Sequence, residues 1–156
     1  MDLGTIIIGA VLLVICIVPF ILVRKKQLTK KKKKLQILNN ISLEYNCNIE
    51  EYEFCNDFVL GIDKSKNYLF YFKQSEENIQ KEVINLQTIE ECIVIKKTRS
   101  INDRTIELIK LNFIKDNETT SIIIYDEKKD LLISNELLVA NKWALLINSS
   151  LKNNKL

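Results

Sequence analysis

A chain of 156 residues holds one domain and little more, and its 47% hydrophobic content, with one Pro and three Gly, argues against long linker-like segments. The formal charge of +3 is unevenly placed: eight of the 23 basic residues lie at positions 24–34, leaving 15 basic against 19 acidic residues from position 35 onward, a balance of −4. That balance excludes the basic folded surface expected of a nucleic-acid binder. The complete lack of His excludes imidazole catalysis and His-ligated metal.

Residues 3–23, LGTIIIGAVLLVICIVPFILV, form 21 positions without a charge. As a helix rising 1.5 Å per residue they extend about 30 Å, the thickness of a bilayer's hydrocarbon core. A core helix rarely stays apolar on every side for six turns. Residues 1–23 therefore read as a transmembrane anchor touching the lipid bilayer through residues 3–23. Pro19 removes one backbone hydrogen bond near its end, a place where the helix can bend. A cleaved signal peptide would need a basic start and small residues at the cut, whereas this chain opens Met-Asp and follows Val23 with Arg24. Lipoprotein processing at Cys16 is disfavoured by the large Ile15 before it.

Arg24, Lys25, Lys26, Lys30, Lys31, Lys32, Lys33 and Lys34 follow at once. Such a basic flank marks the cytoplasmic side of a span. The expectation is a single-pass protein of the cell membrane, with its N-terminus outside and the remainder cytoplasmic. The same run is suited to anionic lipid contact, at about 1 kcal/mol per charge near the surface. Leu35, Leu38, Ile41 and Tyr45 then recur at steps of three and four, giving an apolar stripe on a helix. Residues 24–46 are expected to form a basic juxtamembrane helical stalk whose stripe packs on the domain or on a partner.

Residues 47–156 are expected to form the cytoplasmic domain. From residue 49 to about 127 the pattern turns to short β-rich runs. Tyr52 and Phe54 alternate with glutamates, and Cys55-Asn56-Asp57 reads as a tight turn. Phe58, Leu60 and Ile62 alternate along the second run. The third, NYLFYFK, is apolar on both faces. EVINL is short, and ECIVIKKT places Cys92 and Val94 on one face, Ile93 and Ile95 on the other. In TIELIKLNFI, Ile106 and Leu108 share one phase while Ile109, Leu111 and Phe113 share the opposite one, which predicts a β-bulge near 108–109. TSIIIYDE is the seventh run, and turns are expected over 100–104 and 115–118. Residues 134–153 then repeat Leu137, Ala140, Ala144, Ile147 and Leu151 at helical steps, with Trp143 and Leu146 widening the face. Ser134 or Asn135 can cap that helix, and Glu136 suits its first turn.

Seven antiparallel strands between Tyr52 and Asp126, closed by a helix bearing Trp143, resemble the pleckstrin-homology-like architecture over about residues 49–151. The resemblance implies an α+β fold in which a seven-stranded antiparallel β-barrel or sandwich is closed by the C-terminal amphipathic helix. It also implies docking of peptides or partner proteins. The basic pocket by which that family holds phosphoinositides is not matched, because the first strand and turn carry Glu50, Glu51, Glu53 and Asp57. The whole chain is also similar to small single-pass bacterial membrane proteins with a lysine-rich flank and a β-rich domain.

Catalytic and cofactor chemistry is not expected. The glycines, Gly4, Gly9 and Gly61, make no phosphate loop. The pairs Glu50/Glu51, Glu76/Glu77 and Glu90/Glu91 sit beside turns or strand edges and read as solvated surface. Cys47, Cys55 and Cys92 form no CxxC and read as reduced thiols, with Cys16 in the apolar run. The functional expectation is a membrane-tethered interaction module for a protein partner that the sequence does not name. Its alternatives are anionic-lipid sensing through the basic run and, more remotely, an enzyme of unknown type.

Overall fold

The computed structural model describes residues 3–75, 78–100, 103–116, 118–130 and 132–153. The Glu76/Glu77 pair and the centres of the turns expected over 100–104 and 115–118 lie outside them. The chain divides into two compact units, Met1–Gln36 and Ile37–Leu156. Helix α1, Leu3–Glu44, runs through Pro19 and supplies the first unit and the start of the second. It is the one helix among the described residues long and apolar enough to cross a membrane, and its most apolar stretch is entirely unburied.

Helix α1 ends where Asn46 turns left-handed, with φ 54°. The amide of Cys47 donates to the Ser42 carbonyl (2.9 Å) and that of Asn46 to the Leu43 carbonyl (2.9 Å). This crossed pair is the Schellman termination, with Asn in the place usually held by Gly.

Four strands follow in the order of the sequence: β1 Glu51–Cys55, β2 Phe58–Asp63, β3 Tyr68–Gln74 and β4 Ile79–Asn85, all antiparallel. The tight turn expected at Cys55-Asn56-Asp57 is present, with Cys55 paired to Phe58 and Asn56-Asp57 as the two loop residues. A second antiparallel sheet orders β5 Glu91–Ser100, β6 Asp103–Lys115 and β7 Glu118–Asp126. Helix α2, Glu136–Asn153, completes the fold. The anticipated slip in β6 is present: Lys97 pairs with Leu108 but Thr98 with Ile106, leaving Glu107 as the extra residue. Further register shifts fall between Thr98 and Ser100 in the same pairing and between Ile109 and Lys110 in the pairing with β7. The extra residue at Glu107 lets Ile106 pack on the core alongside buried Ile109, Leu111 and Phe113.

The seven strands, the helix at each end and the α+β class match expectation, but the sheets are not closed into a barrel. Between β4 and β5 the chain makes a 3-10 turn, Leu86–Thr88, started by the Asn85 side chain accepting from the Gln87 amide. The corner directs Leu86 and Ile89 into the core, where both are buried.

The four-stranded sheet is covered on both faces, which explains why β2 is buried at all six positions. One face gives Phe58, Leu60, Ile62, Leu69 and Tyr71 to the main core, shared with the second sheet and with Ala140, Trp143, Ala144, Ile147 and Leu151 of α2. The other face gives Val59, Phe70 and Phe72 to a smaller cluster with Leu38, Ile41 and Cys47. The middle of the stripe at the end of α1 is thus core, with Leu38 and Ile41 buried, while Tyr45 stays exposed with its ring 5.8 Å from that of Tyr68.

Candidate functional site

The basic run is a continuous helical segment of α1. At 100° per residue its eight charges point to every side of the axis, and its ten steps of rise cover about 15 Å. Arg24, Lys25, Lys26, Lys30, Lys31, Lys32 and Lys33 are exposed, and Lys34 is half-buried. The run is a collar of charge around the helix, and no acid follows until Glu44. A collar can meet anionic headgroups whichever way the helix is rotated.

Three polar arrangements in the second unit were not anticipated. The first surrounds Lys73, whose Nζ donates to both carboxylate oxygens of Asp130 (2.7 and 2.9 Å) and lies 3.6 Å from an Asp57 oxygen. Lys73 is buried, so an opposing charge is required to hold it. A weak signal was available: Lys73 shares the phase of Leu69 and Tyr71, which points a lysine into the core. Next to it, buried Glu136 accepts from the Asn56 amide and from the Ser134 backbone N–H (2.5 Å). These contacts fasten the β1–β2 turn to the start of α2.

The second arrangement joins α2 to the strands. Asn148 accepts from the Cys92 N–H (2.9 Å) and donates to the Cys92 carbonyl (2.7 Å), so one side chain satisfies both backbone groups. Trp143 Nε1 donates to Glu53 (2.7 Å), and so does Lys142 Nζ (2.9 Å). Sequence reading placed Trp143 on the buried face, but nothing local marked Glu53 as its partner or Asn148 as the partner of Cys92.

The third is Asp63, which accepts from Ser65 Oγ (2.6 Å), the Lys66 amide (2.8 Å) and the Asn48 amide (2.8 Å). Burial pushes its carboxyl up, but these hydrogen bonds outweigh it and hold the group below the ordinary carboxylate range. Asp63 thereby pins the segment after α1 to the β2–β3 turn.

Of the anticipated carboxylate pairs, Glu50/Glu51 and Glu90/Glu91 lie among the described residues. Glu51 binds Lys64 (2.7 Å), Glu50 accepts from the Ser65 amide, and Glu90 and Glu91 are exposed. Cys47, Cys55 and Cys92 are buried free thiols. Burial above all pushes the thiols of Cys55 and Cys92 up to about 12, so both stay protonated at neutral pH and neither is a nucleophile there. Among the described residues no cluster of Cys, Asp and Glu is placed to hold a metal ion.

Comparison of the chain with protein families, with curated proteins and with solved structures yields no match.

Proposed function

We propose that the chain is a single-pass membrane protein whose unit Ile37–Leu156 is an interaction module held at the cytoplasmic face, docking a protein partner. The observation that carries this reading is the junction within α1: an uncharged run long enough to cross a bilayer passes directly into eight cations within 11 residues. A domain tethered in this way meets membrane-bound partners at raised effective concentration, so weak docking suffices. The 4 + 3 antiparallel strands followed by α2 support a pleckstrin-homology-like architecture, for which peptide or protein docking is the matching role.

Protease added outside intact cells should leave the β-rich unit uncut, and protease added to inverted vesicles should degrade it. The reverse pattern overturns the orientation. Capture from detergent extracts with the full chain should enrich a specific protein partner, and repeated recovery of none would count against docking.

The shape of the collar favours a second reading, recognition of anionic lipid, because its charges surround the helix. Replacing Lys30, Lys31, Lys32, Lys33 and Lys34 with Gln would keep Arg24, Lys25 and Lys26 as the topology signal. Unchanged enrichment of anionic lipid around that variant would exclude the reading.

A further inference from the structure

We infer that the outward face of α2 is a second membrane contact, resting on the anionic surface of the bilayer that holds α1; this rests on the membrane-anchor reading above. The inward face of α2 is filled by the core, yet Leu138 and Leu145 stand outward, 70% and 73% exposed. Seven residues apart, they lie on one side of the helix about 10 Å from each other. Leu132, in the segment before α2, is 81% exposed.

Charge identifies what covers this face. Residues 37–127 carry 10 basic and 17 acidic residues, a balance of −7. Residues 128–156 carry 5 basic and 2 acidic residues, a balance of +3. Those two acids are withdrawn from solvent: Asp130 is engaged by Lys73, and Glu136 is 3% exposed. Lys128, Lys129, Lys142 and Lys152 are exposed, with Lys142 also paired to Glu53. An acidic body beside an anionic surface is repelled by most of its own faces. Along α2 the outward leucines are flanked by Lys142 and Lys152, and the helix's own acid, Glu136, is buried; the acids beside it are Glu53, paired with Lys142, and Glu91, next to Cys92. That combination suits shallow insertion at the boundary of headgroups and acyl chains. Residues 24–36, helical throughout, join the apolar run to the folded unit, so under the membrane-anchor reading that unit is confined near the bilayer and even modest affinity counts.

The test uses the full chain reconstituted in phosphatidylglycerol vesicles containing a phospholipid with a photoactivatable group near the top of its acyl chain. Adducts are then mapped by mass spectrometry. The expected result is adducts on α1 and on the outward positions of α2, with the α2 adducts reduced at least ~10-fold by Leu138→Gln together with Leu145→Gln. Both sites are exposed, so the melting transition of the variant should match that of the parent. The α2 adducts should also weaken when phosphatidylcholine replaces phosphatidylglycerol. Adducts on α1 with none on α2 overturn this inference and leave the anchor intact. Adducts missing from α1 as well overturn the anchor. Adducts on α2 that ignore lipid charge or survive both substitutions also overturn the inference.

Discussion

Single side chains decide how the backbone of this protein turns and where its helices attach. Asn46, Asn56, Asn67 and Asp116 take the left-handed conformation, while no glycine does. Asn and Asp tolerate that region because their short polar side chains bond locally. Asn148 has a larger role, because it alone serves both backbone groups of Cys92. Asn148→Ala leaves a buried donor and acceptor unmet and should cost about 1–3 kcal/mol in urea unfolding. Asn141→Ala, at an exposed position on the same helix, should stay within about 0.5 kcal/mol. The buried thiols make a second prediction. Cys55 and Cys92 ionise near the ordinary 9.0 once unfolded, whereas in the fold they keep their protons up to about 12. The fold binds those protons more tightly, so this contribution is whole below pH 9 and declines as pH rises above it. Thermal melts should show an alkaline loss beginning near pH 9 that shrinks in Cys55→Ala and Cys92→Ala. Alkylation of either thiol at neutral pH should require unfolding.

Among the elements, the end of α1 is the one whose role sequence periodicity left open. Its stripe of Leu38 and Ile41 pointed to burial but not to a partner surface. The partner is the second face of the β1–β4 sheet, and Gly61 sets the closeness of approach. A Cβ at Gly61 would come 2.8 Å from Leu38 Cδ2 and 3.0 Å from Ile49 Cγ2. Gly61→Ala should therefore destabilise by about 1–3 kcal/mol through overpacking. Leu38→Ala alone should cost roughly 2–5 kcal/mol as a cavity, while the double variant should cost less than the sum because each change relieves the other. A larger change makes the same point. A fragment beginning at residue 37 keeps the Leu38 and Ile41 cover and should melt cooperatively. One beginning at residue 47 bares Val59, Phe70 and Phe72 and should aggregate or bind a hydrophobic dye.

Charge is organised on the scale of the whole molecule. Eight cations form a collar on α1, the acidic surplus lies over residues 37–127, and a smaller basic balance returns from residue 128. Changing the exposed Lys30, Lys32 and Lys33 to Gln removes charge outside the unit Ile37–Leu156. The melting of that unit should then shift by no more than about 0.5 kcal/mol, as calorimetry of the full chain would register. A large shift would mean that the collar takes part in holding the fold together.

The sequence by itself determined the long apolar helix, its cationic flank, all seven strands, the irregularity in β6 and the buried face of α2. Each is written in the spacing of near neighbours, where a period of two or three to four residues, or an unbroken apolar run, fixes the local conformation and the side that seeks cover. Tertiary structure alone decided that the sheets stay open, that the end of α1 lies on Gly61, and that Lys73 meets Asp130, Asn148 meets Cys92 and Glu53 meets Trp143. Those partners are 56 to 90 residues apart in the last three cases. Meetings at such separations follow from the path of the folded chain, which no local pattern encodes.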